Sequence, residues 1–230
     1  FEPGALDRAV RIAQRYIGSN WIEQATKNIR HVHGLERLPK FDPKKSYLVV
    51  SNHRSFFDLY VVTGYLVNRD MPHRLVFPVR SKFFYDKPLG LVVNGVMSFF
   101  AMYPPIFRER NRAALNLASL DETARLLKRG GTFVGLHPEG TRNQSDDPYT
   151  LLPAQGGVGR VIQAAGVDVL PVFINGLGND LPKQIAGNFT RKGTPIIVNF
   201  GAPIDFQGML EQAPSPRLHR RISEHALEQI

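Results

Sequence analysis

A histidine and an aspartate five residues apart, His53 and Asp58, are the residues in this chain best suited to acid–base chemistry. They follow the apolar run 47–50, which is typical of a β-strand, and the strand ends of open α/β sheets are where ligands bind. An imidazole exchanges protons near neutral pH, and a carboxylate on one ring nitrogen orients the other toward a substrate. The chain has no cysteine and no Gly-x-Ser-x-Gly elbow, so the pair indicates a general base that deprotonates a substrate hydroxyl.

A turn must join the two residues, because five residues along an ideal helix rotate a side chain by roughly 140°. Asp58 alternatively fits the N-cap of a helix that begins with the apolar residues 59–62. If the pair is catalytic, the backbone amides of residues 54–56 are candidates for stabilising a developing oxyanion.

A second polar loop, residues 137–143, follows the strand-like run 132–136. Gly140 permits a positive φ or a close backbone approach to a ligand, and the fork of donors on Arg142 suits a phosphate or carboxylate. Glu139 could orient that guanidinium or accept a hydrogen bond from a substrate hydroxyl. An ordinary turn with a surface ion pair is the alternative interpretation of this loop.

Basic residues also end the apolar stretch between these two loops, at Arg108, Arg110 and Arg112. Beside Arg142 they would form an anion pocket for a phosphate head group, in front of a helix predicted from Asn111 to residue 128. As a solvated helix start, the same residues need no function.

These segments, in their order along the chain, resemble the four blocks of the glycerolipid acyltransferases, the family that includes 1-acylglycerol-3-phosphate acyltransferase. The blocks are Asn52-His53-x4-Asp58 (the HX4D motif), Ile106-Phe107-Arg108-x-Arg110, Pro138-Glu139-Gly140-Thr141-Arg142 and Val169-Leu170-Pro171-Val172-Phe173-Ile174. The likeness spans residues 32–201. It implies a transferase of phospholipid biosynthesis that moves a fatty acyl group from acyl-CoA or acyl carrier protein to the hydroxyl of a lysolipid. The expected acceptor is 1-acylglycerol-3-phosphate, with another lysolipid or a glycolipid as the alternative.

The resemblance also implies roles for individual residues. His53 is expected to act as the general base, and Asp58 to orient and charge it. The substrate-binding residues it implies are Arg108 and Arg110 on the acceptor phosphate, Glu139, Gly140, Thr141 and Arg142 in the acceptor site, and Pro171 in the pocket wall. No cofactor is expected beyond the acyl thioester, and no metal, because the seven histidines show no ligand spacing.

Two residues depart from the family's pattern. His137 stands where a phenylalanine is usual, as a second acid or as a packing substitute. Gln155 stands where a lysine commonly precedes two glycines, and the loss of that cation weighs against a simple glycerol-phosphate acceptor.

The elements that must position these residues alternate between strand-like and helical runs, which predicts an α/β fold with a central, mostly parallel or mixed sheet flanked by helices. The predicted strands are 47–51, 74–79, 99–107, 132–136, 169–174 and 195–200. The apolar run 89–107 is interrupted by Asn94, Pro104 and Pro105, so it predicts a helix followed by a strand rather than a membrane span. The polar loop 143–149 is a candidate flap beside the site, or a plain surface loop.

The N-terminal segment, residues 1–30, is predicted to be an amphipathic helix ahead of an α/β domain at 31–230. Leu6, Val10, Ala13 and Ile17 form an apolar stripe, while the arginines at 8, 11 and 15 lie toward another face. The stripe fits a membrane-interface helix, or an ordinary helix packed on the domain.

The charge balance predicts an anionic partner, because the formal net charge is +9 and the pI is about 10.0. An anionic membrane surface is the expected partner and nucleic acid is not, since no base-stacking or zinc motif is present. The expected location is the cytoplasmic side of a membrane, held peripherally or by an anchor upstream. The alternatives to acyl transfer are a thioesterase, with water as the acceptor, and a non-catalytic module that binds anionic membranes.

Overall fold

A computed structural model of the chain describes residues 4–69, 71–98, 101–107 and 109–230. Its strands are β1 (Arg30–His33), β2 (Tyr47–Ser51), β3 (Arg74–Val76), β4 (Val79–Arg80), β5 (Pro105–Ile106), β6 (Thr132–Leu136), β7 (Asp168–Asn175) and β8 (Ile196–Phe200). Its helices are α1 (Ala5–Ala13), α2 (Ser19–Thr26), α3 (Asp58–Val67), α4 (Ser81–Phe84), α5 (Pro88–Ser98), α6 (Ala113–Lys128), α7 (Gly156–Ala165), α8 (Leu181–Thr190) and α9 (Pro216–Glu228). A π-helical turn, Gln14–Gly18, joins α1 to α2.

Within the described residues, six strands form one sheet in the order β1-β8-β7-β2-β6-β3. The four strands β7, β2, β6 and β3 run parallel, and β8 and β1 run in the opposite direction because β7 and β8 pair antiparallel. β4 and β5 form a separate parallel pair. The predicted α/β fold with a mostly parallel, mixed sheet is therefore confirmed.

The central strand β2 is buried on both faces, as its continuous apolar run requires. Successive side chains point to opposite faces, so Tyr47 and Val49 join the apolar core on the side of α3. Leu48 and Val50 join the core formed with α6, α7 and α9 on the other side. The sheet is thus covered by helices on both faces, which leaves the ends of its strands as the open edge.

Gly135 in β6 allows α3 to pack close to the sheet. A Cβ atom at this position would lie 2.7 Å from Cδ1 of Leu59 and 3.0 Å from a ring atom of Phe77. Because Leu59 is in the first turn of α3, this close approach brings Asp58 to the ends of the strands.

Three predicted boundaries were wrong in detail. The strand predicted at 74–79 is divided into β3 and β4, with Pro78 between them unable to donate to a ladder. The strand predicted at 99–107 reduces to β5, since Pro104 and Pro105 both lack an N–H and residues 99–100 lie outside the described part. The helix predicted from Asn111 begins at Ala113, after a 3₁₀ turn.

The N-terminal helix attaches to the sheet through polar side chains. Asp7 is buried and accepts at Oδ1 from Nη1 of buried Arg74 in β3, at 2.5 Å. Buried Gln14 donates to the carbonyl oxygen of Leu75 at 3.1 Å and accepts from its amide at 2.9 Å. The face of the helix that contacts the protein is therefore polar.

Apolar side chains of the same helix point outward. Those with more than half of their surface exposed are Leu6, Ile12, Tyr16 and Ile17. The predicted stripe is thus solvent-facing at Leu6 and Ile17, which is the reverse of an ordinary helix packed on a domain. No helix in the described part of the chain combines the length and the apolar character needed to cross a bilayer.

Candidate active site

The loops that follow β2, β6 and β7 meet at one edge of the sheet. Ser51 pairs with Val172, and Val50 pairs with Leu136, so the residues after these parallel strands emerge side by side. The amide of Asn143 donates to the carbonyl oxygen of His53 at 2.7 Å. The loop opened by His53 and the loop that contains Arg142 are therefore held together.

Asp58 holds the ring of His53 through a turn. Its Oδ2 lies 3.2 Å from Nδ1 of His53 and accepts from the amides of Arg54, at 2.8 Å, and Ser55, at 2.9 Å. The carboxylate is buried, whereas about a fifth of the His53 side chain is exposed. With Nδ1 facing a carboxylate, Nε2 is the nitrogen that would accept a proton from a substrate.

The alternative interpretation of Asp58 as an N-cap is wrong. Helix α3 begins at Asp58 itself, so Phe57 holds the N-cap position. Oδ2 of Asp58 accepts from amides that precede the helix, and its Oδ1 has no partner among the described residues. Burial raises the pKa of Asp58 from 3.8 to about 6, while the amides of Ser55 and Arg54 act in the opposite direction. At neutral pH the group is a buried carboxylate, which can stabilise a proton on His53.

The proposed oxyanion donors are already engaged. The amides of Arg54 and Ser55 donate to Asp58, and the amide of Phe56 donates to Oδ1 of Asn179 at 3.1 Å. The expectation that residues 54–56 stabilise an oxyanion through their amides is therefore wrong for this arrangement of the turn.

Glu139 links the two ends of its loop to the loop of His53. It is buried, its Oε1 accepts from the amide of His53 at 2.7 Å, and its Oε2 accepts from the amide of Leu152 at 2.7 Å. Gly140 sits next to it at φ 66°, a conformation that favours glycine. Both carboxylate oxygens of Glu139 thus bind backbone amides, which gives the residue a positioning role.

His137 stacks directly on His53. The ring centroids are 3.7 Å apart and the planes differ by 6°. Nδ1 of His137 lies 3.1 Å from the carbonyl oxygen of Ser51 and 3.0 Å from that of Asn52, and carbonyls only accept, so Nδ1 carries the hydrogen. Burial and the neighbouring His53 lower the pKa of His137 to about 3, which weighs against the expectation that it serves as a second acid.

Three side chains of the site form the one group of the described residues that could hold a metal ion: His53, Asp58 and His137 offer ligand atoms within 4.8 Å of one another. Imidazole binds a metal through a lone pair in the ring plane, and these two planes are parallel and stacked. An ion in the plane of His53 would lie outside the plane of His137. The arrangement does not suit a shared ion unless His137 leaves its two carbonyl partners.

Arg54 ties the loop 143–150 to the turn that follows β2. The guanidinium of Arg54 donates to the carbonyl oxygen of Ser145 at 2.6 Å and to Oγ of the same residue at 3.2 Å. Asn143 also closes the loop on itself through a bond to the carbonyl of Thr150. The segment predicted as a flap is thus a tied loop beside the histidine pair.

Arg142 extends at the surface beside the turn after β7. Its Nη1 donates to Oδ1 of Asn179 at 3.0 Å, and the same oxygen accepts from the amide of Phe56. A guanidinium held at the rim by a neutral amide keeps its positive charge available to an anionic ligand.

Four predicted residues remain: Thr141, Pro171, Arg108 and Arg110. Thr141 is exposed in the same loop, whereas Pro171 is buried within β7, where it pairs with Val50. Arg108 and the side chain of Arg110 lie outside the described part of the chain.

Two asparagines have structural roles that the sequence pattern does not indicate: Asn52, which is part of the first block, and Asn179. Asn52 is buried and exchanges two bonds of 2.8 Å with the backbone of Ile174, which fastens β7 to the start of the His53 loop. Asn179 connects Arg142 to the turn at Phe56. The turn that contains Asn179 follows β7, so the position of polar residues after a parallel strand is the sequence signal for it.

Comparison with known proteins gives consistent matches. A family model described as "Acyltransferase" matches residues 29–175. A 1-acyl-sn-glycerol-3-phosphate acyltransferase of Chlamydomonas reinhardtii is 26% identical over 201 residues, which cover 86% of this chain and 55% of that protein. The 1-acyl-sn-glycerol-3-phosphate acyltransferase alpha of Homo sapiens is 28% identical over 137 residues, which cover 59% of this chain and 42% of that protein. The chain spans about half the length of these curated relatives.

A solved structure shares the fold. The crystal structure of the 1-acyl-sn-glycerophosphate acyltransferase PlsC from Thermotoga maritima matches with a TM-score of 0.55 and 22% identity, covering 97% of this chain and 76% of that chain. At this identity the match supports the architecture of the sheet and helices.

Proposed function

Because this chain belongs to the acyltransferase family, we propose that it moves a fatty acyl group from an acyl thioester to the hydroxyl of a lysolipid. The first acceptor we propose is 1-acylglycerol-3-phosphate, since the algal and human relatives are both named as 1-acyl-sn-glycerol-3-phosphate acyltransferases. The donor we propose is acyl-CoA or acyl carrier protein, and no cofactor is required by the chemistry that follows.

The observation that carries this proposal is the bond between His53 and Asp58 at the open edge of the sheet. Nε2 of His53 takes the hydroxyl proton while the alcohol oxygen attacks the thioester carbonyl. The carbon–sulfur bond then breaks, and the imidazolium returns the proton to the thiolate. Asp58 stabilises the imidazolium between these steps, and general acid–base catalysis of this kind contributes typically about 10²–10⁴-fold.

A phosphate-bearing acceptor suits the rim of the site. Arg142 is exposed there, and Asn179 holds one end of its guanidinium. A planar fork of donors matches a phosphate group, and Arg108 and Arg110 stay in the proposal as further contacts on the strength of the family pattern alone.

The protein is proposed to bind an anionic membrane surface peripherally. The π-helical turn, which carries exposed Tyr16 and Ile17, contacts α5, where Leu89 and Val92 are also more than half exposed. Exposed Arg8 lies on the same helix, and the chain carries a formal net charge of +9. Apolar side chains that enter the bilayer interface, with basic residues at head-group level, are the pattern of an interfacial helix.

The decisive experiment measures transfer of a labelled acyl group from acyl-CoA to lysophosphatidic acid. His53→Asn keeps an amide donor near Asp58 but removes the base, so we expect turnover to fall by about 10²–10⁴-fold with the melting temperature nearly unchanged. The matched control is His31→Asn, an exposed histidine on β1, which should retain wild-type turnover. Undiminished transfer by the His53 variant would remove His53 from the mechanism.

Omission of the acceptor separates transfer from hydrolysis. An acyltransferase should release little free fatty acid when the lysolipid is absent, whereas a thioesterase should release it at the same rate. A panel of lysolipids and glycolipids against one donor then identifies the acceptor, and a preference for an acceptor without a phosphate would overturn the role of Arg142.

A further inference from the structure

The stacked pair His53 and His137 suggests a role for the second ring that the family pattern does not supply. We propose that His137 is a positioning residue, which holds the ring of His53 in the plane that keeps Nδ1 on Asp58 and confines the exchanged proton to His53. This inference rests on the proposed function, because it concerns the same base.

The stack restricts rotation of the His53 ring. At a centroid separation of 3.7 Å and an interplanar angle of 6°, one face of His53 is covered completely enough to prevent the ring from turning. The bond from Nδ1 to Asp58, 3.2 Å long, then fixes the remaining in-plane orientation. Together the two contacts aim Nε2 in a single direction.

The anchor of His137 explains why an imidazole is used here. Its Nδ1–H points at the carbonyl oxygens of Ser51 and Asn52, the last residues before His53. A phenyl ring would preserve the stack and leave both carbonyls without this donor. An imidazole therefore fastens the stacking ring to the strand end from which His53 projects.

His137 stays uncharged although its two carbonyl bonds act to raise its pKa. Burial and the adjacent His53 lower its pKa to about 3, so a proton taken up by His53 does not pass to the stacked ring. The titratable groups that face His137 are His53 and Asp58, and the carboxylate favours a charge on either ring. His53 is the ring that bonds to it directly, which places the charge there.

Two substitutions separate the two functions of the ring. His137→Phe keeps the stack and removes the N–H, whereas His137→Asn places an amide N–H close to the position of Nδ1 and removes the stack. We expect the Asn variant to lose about 10- to 100-fold in kcat, since small misplacement of a reacting group has costs of this size. The acceptor KM should change less than about threefold, and the Phe variant should stay within about fivefold of wild-type kcat.

The opposite order of effects would overturn the proposal. If the Phe variant loses more kcat than the Asn variant, the N–H bond matters and the stack does not. If both lose equally, His137 acts in the chemistry or in folding, and parallel losses in melting temperature identify folding. If neither loses activity, His137 has no positioning role.

Nitrogen NMR of the ¹⁵N-histidine-labelled protein tests the same idea without turnover. In the wild type, His137 should remain a neutral Nδ1–H tautomer from about pH 5 to pH 8, and in the Asn variant His53 should shift toward mixed tautomers. Titration of His137 within that range would refute the proposal. If these signals appear as expected but the wild type transfers no acyl group, the proposed function fails and the positioning role stands.

Discussion

The buried carboxylate of Asp58 should make the protein less stable at the pH where it is expected to act. We predict that Asp58→Asn, which is expected to abolish acyl transfer, changes the difference in stability from the wild type. The free energy of unfolding of the variant minus that of the wild type should increase as the pH rises. An asparagine oxygen in place of Oδ2 can accept the same bonds from Arg54, Ser55 and His53. The geometry of the turn is kept, and the charge is lost.

The sign and size of the effect follow from the raised pKa. The pKa of Asp58 is about 6 in the folded protein and 3.8 ordinarily, so between these values the folded state holds a proton that the unfolded chain has released. The free energy of unfolding of the wild type then falls by about 1.4 kcal/mol for each pH unit, or about 3 kcal/mol in all. The stabilisation of the folded state by the proton on Asp58 is fully present below pH 3.8 and is lost as the pH rises through about 6. The Asn variant has no such titrating group.

A cost that does not depend on pH offsets part of the stability that the variant gains at high pH. The asparagine NH₂ would occupy the place of Oδ1, which is buried with no partner among the described residues. Burying an unpaired donor costs about 1–3 kcal/mol, independent of pH. The quantity to compare is therefore the difference between variant and wild type across pH, and not its value at one pH.

The assay is chemical denaturation at a series of pH values from 4 to 8 in constant salt, with free energies of unfolding extrapolated to water. Asp121→Asn, at an exposed ion pair on α6, is the control and should change stability by less than about 0.5 kcal/mol. A second comparison, made in a His53→Asn background, removes the titration of the bonded imidazole. A difference that stays flat with pH, or that decreases as pH rises, would refute the reasoning.

Three further changes test other contacts. Glu139→Gln presents an NH₂ to one of two amide donors and should lower the free energy of unfolding by about 1–3 kcal/mol in denaturation, whereas exposed Glu36→Gln should not. Asn179→Ala releases the guanidinium at the rim, so the KM for a phosphate-bearing acceptor should rise several-fold with kcat little changed; an unchanged KM would contradict the role given to that turn. Ile12→Ser on the outward face should reduce binding to anionic vesicles in a sedimentation assay, while Ile197→Ser on β8 should not, and equal losses would argue against an oriented docking face.

The location of the site was predictable because it follows a local rule. The apolar run that ends at Ser51 and the one that ends at Leu136 each predict a strand, and polar residues after parallel strands meet at one sheet edge. Spacing alone also placed His53 and Asp58 across a turn. These inferences need only neighbours in the chain and the direction of the strands.

The function of each carboxylate was less predictable because it depends on distant partners. Asp58 begins a helix in either interpretation, and only the packing of α3 against Gly135 shows that its side chain points back toward His53. Glu139 looks like a surface residue in a Gly-containing loop, and one of its two bonds is to a residue 86 positions earlier in the chain. No local pattern encodes such a contact.

The orientation of the N-terminal helix reversed the usual rule for amphipathic helices. The periodicity predicted the helix correctly. Which side of the helix contacts the protein depends on Arg74 and Leu75, because Arg74 presents a buried charge and Leu75 presents backbone polar groups. Asp7 and Gln14 bond to these groups, so Leu6 and Ile17 of the apolar stripe are left facing outward.

The paired bonds of Gln14 to Leu75 also occupy backbone groups of an edge strand. β3 is the last strand of its sheet, and the outward N–H and C=O of Leu75 would otherwise invite a strand from another molecule. The side-chain carboxamide of Gln14 makes the two hydrogen bonds that a neighbouring strand would make, so the sheet ends at β3. Displacing the N-terminal helix would therefore uncover an unpaired strand edge at the same time as it removes the proposed membrane-binding surface, so loss of that helix should produce aggregates as well as poor membrane binding.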